Sequence, residues 1–464
     1  MTLVAPREEL RLSGHPVQHC GVWTVTLMAG RERPEAVTPA DLDAVAGRVV
    51  DDVVTAATAD NTSAAYDWWK VLFALYPNSK PTHATRSRDR AVLLPQVKAL
   101  FDADEPGARP LPCTFCESPC GTLWSKSELP LFESARALNV LPPGTAGWPV
   151  CRGCRVALWA LPYGAWVTQG SATVLTCDDE NIERRYAATN LRRADRIRQL
   201  GFEGLPADAG PEAVALEALR EHAGDVGGAA TLWTFKNDNQ DPWLRVASTR
   251  LGVVRFLRAM RADPQCDHGW TKLQSALGRA QRGRAKAVDG ATAAARLLFD
   301  RENEDGERLP QRLVELARDP DKIPRRTLLA WRALCRLYLE VMCDMDAGRL
   351  KPVATLLADW IAKESTRGRF NEFRHAVDRS YDLYRLLKEA SSRLALDGRP
   401  QEPINELFPL LFAEGPQGWR TRGQLYFDVM AELIVRDVPI GEPGDQQDDE
   451  QEQSDSDDYE EAYA

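Results

Sequence analysis

Apolar and polar positions recur with two different periods along this 464-residue chain, and the change between them divides it. Residues 21–29, GVWTVTLMA, alternate roughly as a half-buried strand does. TPADL at 38–42 then supplies an N-cap for an apolar-periodic helix running through Val54. A second helix is predicted over 63–76, where Tyr66, Trp69, Phe73 and Tyr76 recur at three- and four-residue intervals. That stripe suits a packed core better than a base-stacking platform. From 103 to 154 the composition turns to Pro, Gly and Cys, with few helix-compatible windows. RVALWALPYGAWVTQGSATVLTC suits a short helix or strand leading into a hairpin, and NIERRYAATNLRRADRIRQLG a basic helix. Gly224–Gly228 begin a loop before ATLWTFKNDNQDPWLRV.

Beyond residue 245 nearly every window reads as helix. Segments 248–262, 268–281, 289–300, 309–318, 325–347, 352–364, 370–396 and 420–436 carry apolar residues at helical spacing, broken by DPDKIP, AGRLKP and DGRPQEP. This stretch is expected to form an antiparallel bundle. No internal repeat of fixed period is present.

The cysteines change the picture most. Cys113 and Cys116 form one CxxC pair and Cys151 and Cys154 a second, with thirty-four residues between them. A lone CxxC fits a disulfide switch, a cluster ligand or half of a zinc site. Two knuckles present four thiolates to one centre, which is the ligand set of a closed structural zinc site. Metal binding would fold a segment too poor in apolar residues to fold alone. Zinc is favoured over an iron–sulfur cluster because the chain carries no other redox signature. Cys120 extends the first pair to CxxCxxxC and offers an alternative third ligand. Neither pair lies between a strand and a helix of a βαβ unit, which weighs against a thioredoxin-like site. Cys20, Cys177, Cys266, Cys335 and Cys343 suit plain packing positions.

A chain of this length exceeds one core. The expectation is an α+β fold: a mixed α/β N-terminal domain with an inserted four-cysteine zinc module, followed by an all-α C-terminal helical bundle. The boundaries are 1–102, 103–177 for the zinc module, 178–308, 309–441 for the bundle, and an acidic tail at 442–464.

Charge refines this. The formal net charge is -10, but the tail carries eleven acidic and no basic side chains, which leaves the rest close to neutral. The tail lacks the apolar residues that offset ordering entropy and reads as disordered. No charge-free apolar run approaches the roughly 18 residues that span a bilayer, and the N-terminus has no apolar signal region, so a cytoplasmic protein with no membrane partner is expected. The six histidines show no HExxH spacing, and no GxSxG or glycine-rich phosphate loop occurs, so no catalytic residues are assigned.

Three ordered blocks resemble one family, the CXXC-CXXC subtype of the large subunit of type I-B CRISPR Cascade effector complexes. LSGHPVQHCG at 12–21 is similar to that family's opening Thr-Gly-Asn-Pro-Phe-x-Asp-x-Gly, keeping Gly14, Pro16 and Gly21. The two cysteine pairs follow, the second trailed by VALWALPYG. TLWTFKNDNQDPWLRV with GVVRFLRAM resembles a third block, Phe-x-Asn-x-x-Gln before a helix. His15 and His19 stand where the family has Asn and Asp, and Glu117 where it has Gly. The resemblance implies a non-catalytic subunit that recognises the protospacer-adjacent motif in double-stranded DNA, helps open the strands and seats the 5′ end of the guide CRISPR RNA. It would work with the backbone and small Cascade subunits and a recruited helicase-nuclease. Motif-reading candidates are Lys236, Asn237, Asn239 and Gln240 in FKNDNQ, whose amides suit minor-groove edges, although such clusters also make ordinary turns. Backbone candidates are Arg279, Arg282, Arg284 and Lys286 in GRAQRGRAK, with Arg192 and Arg193 of the basic helix, for which a solvated face paired with Glu183 and Asp195 is the plainer alternative. A thiol redox protein and a stand-alone zinc-ribbon DNA binder are the other function classes.

Overall fold

The computed structural model describes residues 10–104, 111–125, 127–130, 147–205, 209–221, 229–236, 243–281, 288–301, 308–364, 368–399 and 404–438. The chain is mostly helical with some sheet and divides into two compact units, Met1–Thr249 and Arg250–Ala464. The expected boundary at 308/309 falls inside the second unit. No helix among the described residues is long and apolar enough to cross a membrane.

The first unit opens with α1 (Pro16–Met28), α2 (Pro39–Thr58), α3 (Ala64–Leu75) and α4 (Arg90–Lys98). Short ribbons follow: β1 (Leu111–Pro112) pairs with β2 (Pro119–Cys120), and β3 (Leu123–Trp124) with β4 (Trp148–Pro149). Then come α5 (Arg152–Gly164), β5 (Trp166–Val167), β6 (Ser171–Thr176), α6 (Glu180–Leu200), α7 (Pro211–Arg220), β7 (Thr231–Lys236) and β8 (Trp243–Thr249). Strands β5 to β8 pair antiparallel in sequence order, with Ala172 opposite Phe235 and Lys236 opposite Trp243.

Residues 21–28 belong to helix α1, with Ala29 as its C-cap, which corrects the expected strand. Pro16 sits at the start of the helix, and Val17, Gln18 and every residue from Cys20 to Thr26 are buried. A helix enclosed on all sides has no amphipathic stripe, so its β-branched residues imitated alternation. Thr24 and Thr26 donate their hydroxyls to the carbonyls of Cys20 and Val22, which removes the cost of burying them. The N-cap of α2 is as expected: Thr38 Oγ1 accepts from the Asp41 amide, and Asp41 Oδ2 accepts from the Thr38 amide.

Helix α5 is the axis of this unit, with every residue from Gly153 to Gly164 buried. Trp159 stacks on Tyr76 with centroids 4.2 Å apart and donates to the Glu128 carbonyl. Tyr76 donates its hydroxyl to the Leu158 carbonyl, and Tyr163 to Asp52 of α2. Helix α1 crosses α5 where Gly21 lies against the Ala157 backbone, so that a Cβ at Gly21 would collide with the Ala157 carbonyl.

The second unit contains α8 (Val253–Ala262), α9 (Pro264–Gln281), α10 (Gly290–Ala295), α11 (Arg308–Leu316), α12 (Arg325–Cys343), α13 (Lys351–Ile361), α14 (Gly368–Ala376), α15 (Ser380–Leu396), α16 (Phe408–Leu411) and α17 (Pro416–Val435). Helices α11, α12, α13 and α16 pack on α17, whose Leu425, Tyr426, Val429, Met430 and Leu433 are buried. Three expected helices change. The span 289–300 ends as α-helix at Ala295 and continues as a 3₁₀ turn into extended Phe299–Arg301; 370–396 breaks between α14 and α15; and 248–249 belong to β8, with α8 starting only after Gly252 at φ 90°.

Gly21→Ala is expected to destabilise the protein by about 1–3 kcal/mol through backbone displacement. Gly47, in the exposed middle of α2 with nothing within 4 Å of a Cβ, gains from the same change by up to about 1 kcal/mol. Urea unfolding of the two variants checks this; equal midpoints would contradict the packing described.

Candidate metal centre

The two cysteine pairs reach one point from structurally different supports. The first sits on a knuckle between β1 and β2, where the Cys113 amide donates to the Ser118 carbonyl and the Glu117 amide to the Cys113 carbonyl. Glu117 closes the knuckle at φ 63°, in the left-handed region that favours glycine. This is the position at which the resembling family has Gly. The second pair opens helix α5: Cys151 is its N-cap and Cys154 lies in its first turn, where unpaired amides favour negative charge. The Thr114 amide donates to the Pro149 carbonyl and the Val150 amide to the Thr122 carbonyl, which lock the two supports together.

The Sγ atoms of Cys113, Cys116, Cys151 and Cys154 all lie within 4.8 Å of one another, with Cys116 and Cys151 3.4 Å apart. Tetrahedral sulfur ligands at about 2.3 Å from an ion are roughly 3.8 Å apart, inside this range. Without a cation the four sulfurs divide their protons unequally. Hydrogen bonds from Cys116, Cys151 and Cys154 hold the Cys113 thiol far below the ordinary range. Cys116 falls to about 6, since the opposing effect of Cys113 is outweighed by bonds from Cys151 and Cys154. Cys113 and Cys116 in turn push Cys151 and Cys154 far above it. A cation in the centre replaces those shared protons. Cys120 stands apart, its Sγ donating to the Leu111 carbonyl and its thiol pushed up to about 12 by burial.

Sequence reasoning missed the next layer. Gln18 of α1 donates Nε2 to Cys154 Sγ at 3.3 Å and to the Arg11 carbonyl at 2.7 Å, while Ser13 holds its Oε1. Such donors orient a ligand and temper its charge. His15 meets Phe115, inside the first CxxC, edge to face at 5.3 Å. Arg155, 1% exposed, donates to the Leu100 carbonyl and to Asp104, tying the start of α5 to the chain before the knuckle. The signal for Gln18 was only its place in the opening block.

His19 sits one residue further along α1. Its Nδ1 faces the Ser13 carbonyl at 2.9 Å, and its Nε2 lies 2.7 Å from the Glu183 carboxylate, off the ring N–H axis. Both nitrogens face acceptors, the arrangement of an imidazolium. Burial opposes the charge, but the Glu183 pairing prevails and the His19 pKa is raised.

The nucleic-acid candidates fall in different places. Lys236 ends β7, whereas Asn237, Asn239, Gln240, Arg282, Arg284 and Lys286, like the acidic tail, lie outside the described residues. Arg279 is exposed in the last turn of α9. On α6, Arg192 is exposed with Nη2 on Thr189, but Arg193 is turned inward, donating to the Val167 carbonyl and lying over Trp166. Arg198 joins Asp52 and Asp195 in a network with Arg48. Comparison with family models, curated proteins and solved structures gives no match.

Because the folded pKa of His19 lies above its unfolded value of about 6.5, its ion pair stabilises fully below that value and the contribution is lost as pH rises through the folded pKa. His19→Gln is therefore expected to cost more stability at pH 6 than at pH 9, measured by urea unfolding of both proteins. A gap that widens with pH would refute the charged assignment.

Proposed function

We propose that the four thiolates hold one structural zinc ion, and that the chain is the non-catalytic large subunit of a type I-B CRISPR Cascade surveillance complex. In this reading it recognises the protospacer-adjacent motif in double-stranded DNA, helps open the strands and seats the 5′ end of the guide RNA. Its partners are the other Cascade subunits and a recruited helicase-nuclease. Zinc suits the donor set: four sulfurs, closed to further ligands, on a chain segment with little apolar core of its own.

The observation that carries the reading is that two of the resembling blocks, more than ninety residues apart, meet at one place. The opening block contributes Gln18 to Cys154 and His15 to Phe115, and its Gly21 is the residue that lets α1 cross the helix bearing the second pair. The third block forms β7 and β8, paired to β6 in the same unit. Three blocks in the expected order, two of which meet at the cysteine cluster, favour a common family origin over coincidence. A thiol redox role is disfavoured because Cys113, Cys151 and Cys154 are buried and the half-buried Cys116 has its sulfur drawn in among the other three.

Co-expression with a guide RNA and the partner proteins of a type I-B complex tests the proposal. The chain is expected to copurify with the RNA-bound assembly carrying about one zinc per chain, the ion being lost only with strong chelation. A chain that stays out of the assembly while its partners bind RNA would sink the large-subunit reading. Absence of zinc from a folded, reduced protein would sink the metal assignment separately.

A further inference from the structure

Both halves of the cysteine cluster are touched by one short stretch of chain. Residues 10–15 run into α1 without regular secondary structure, anchored at one end by the buried Leu10. Gln18, in the first turn of α1, is fully buried and ties this stretch to the cluster. Its Nε2 donates to the Arg11 carbonyl at 2.7 Å and to Cys154 Sγ at 3.3 Å, while its Oε1 accepts from Ser13 Oγ at 2.7 Å. One side-chain amide therefore holds two residues of the stretch and one sulfur. His15, at the N-cap of α1, meets Phe115 edge to face at 5.3 Å. Phe115 lies between Cys113 and Cys116, so the stretch contacts the first pair through His15 and the second through Gln18.

These contacts need the two pairs at their closed spacing. Phe115 sits on a knuckle between two-residue strands, whereas Cys154 sits on a buried helix. A cation shared by the four sulfurs fixes the distance between those supports. A sulfur bound to a cation also carries negative charge and accepts an amide N–H more strongly than a thiol does. With that acceptor weakened, a buried N–H of Gln18 lacks a good partner, and turning the amide away relieves the cost. The same rotation releases the Arg11 carbonyl and Ser13, because one side chain holds all three. Leu10 keeps its buried place and the Ser13 carbonyl still faces His19 Nδ1 at 2.9 Å, so the change is a local loosening.

We propose that residues 10–15 and Gln18 form a clip that docks on the cysteine cluster when the four sulfurs hold a metal ion and loosens when they do not. The clip presupposes the metal assignment of the cluster. Trypsin reports it directly, because the Arg11 carbonyl that Gln18 holds is the carbonyl trypsin attacks to release Leu12. The full-length reduced chain is digested with and without bound zinc, with cleavage after the exposed Arg192 of α6 as the reference and the fragments identified by mass spectrometry. Removing zinc is expected to speed cleavage after Arg11 about tenfold relative to Arg192. In the zinc-bound protein Gln18→Met is expected to speed it about tenfold and His15→Ala about threefold. Each variant is also expected to weaken zinc binding by a similar factor in competition with a chelator, since linkage makes the two effects reciprocal. His15 is exposed, so His15→Ala keeps the test decisive if Gln18→Met misfolds. Equal rates with and without zinc, or wild-type rates in zinc-bound His15→Ala, would overturn the clip and leave the metal assignment standing. Equal acceleration at Arg11 and Arg192 on zinc removal would overturn it as well, assigning global unfolding. A folded, reduced chain that binds no zinc would overturn the metal assignment and the clip together.

Discussion

Four sulfurs brought within 4.8 Å of one another at the first turn of a buried helix are the constraint on which the first unit depends. Sulfurs so close do not all ionise in the absence of a cation, and hydrogen bonds among them divide the protons unequally. A divalent ion bound there would convert the conflict into a crosslink. Because Cys151 and Cys154 begin α5, that crosslink would fix the helix around which α1, α2 and α6 pack. Arg155, Gln18 and the Thr114 amide then carry that fixation outward to the chain before the knuckle, to α1 and to β4.

How much of this could be read from the residues alone follows from the range of the interactions. The start of α2 was legible because its capping box is complete within four residues, Thr38 to Asp41. The four clustered cysteines were legible because thiol spacing within each knuckle is local, and the exclusion of Cys120 was not, since it depends on how β1 pairs with β2. Helix α1 was misread because burial on every side erased its period. Gln18 was missed because its partner is 136 residues away. The basic face of α6 divided in a way no charge pattern discloses: Arg193 turned onto Trp166 and Arg198 into an internal network, leaving Arg192 and Arg196 at the surface.

The departures from the resembling family acquire physical content in the fold. Glu117 adopts a backbone conformation in which Gly has no steric cost, so this chain carries strain at its first knuckle. His19 makes an ion pair with Glu183, which also accepts from Trp23 and from the Cys177 amide. The opening block in this chain therefore works as a structural clamp between α1 and the start of α6. The aromatic stripe of α3 likewise has two faces. Trp68 packs inward on Tyr163, and Trp69 supports Arg86 at the other side.

The central claim is that all four cysteines bind one ion. X-ray absorption at the zinc edge of the purified, reduced chain measures this directly. The account predicts a single shell of four sulfur scatterers at about 2.3 Å and no nitrogen or oxygen ligand. A shell with fewer sulfurs completed by lighter atoms, or cysteines joined as disulfides with no edge signal, would contradict it.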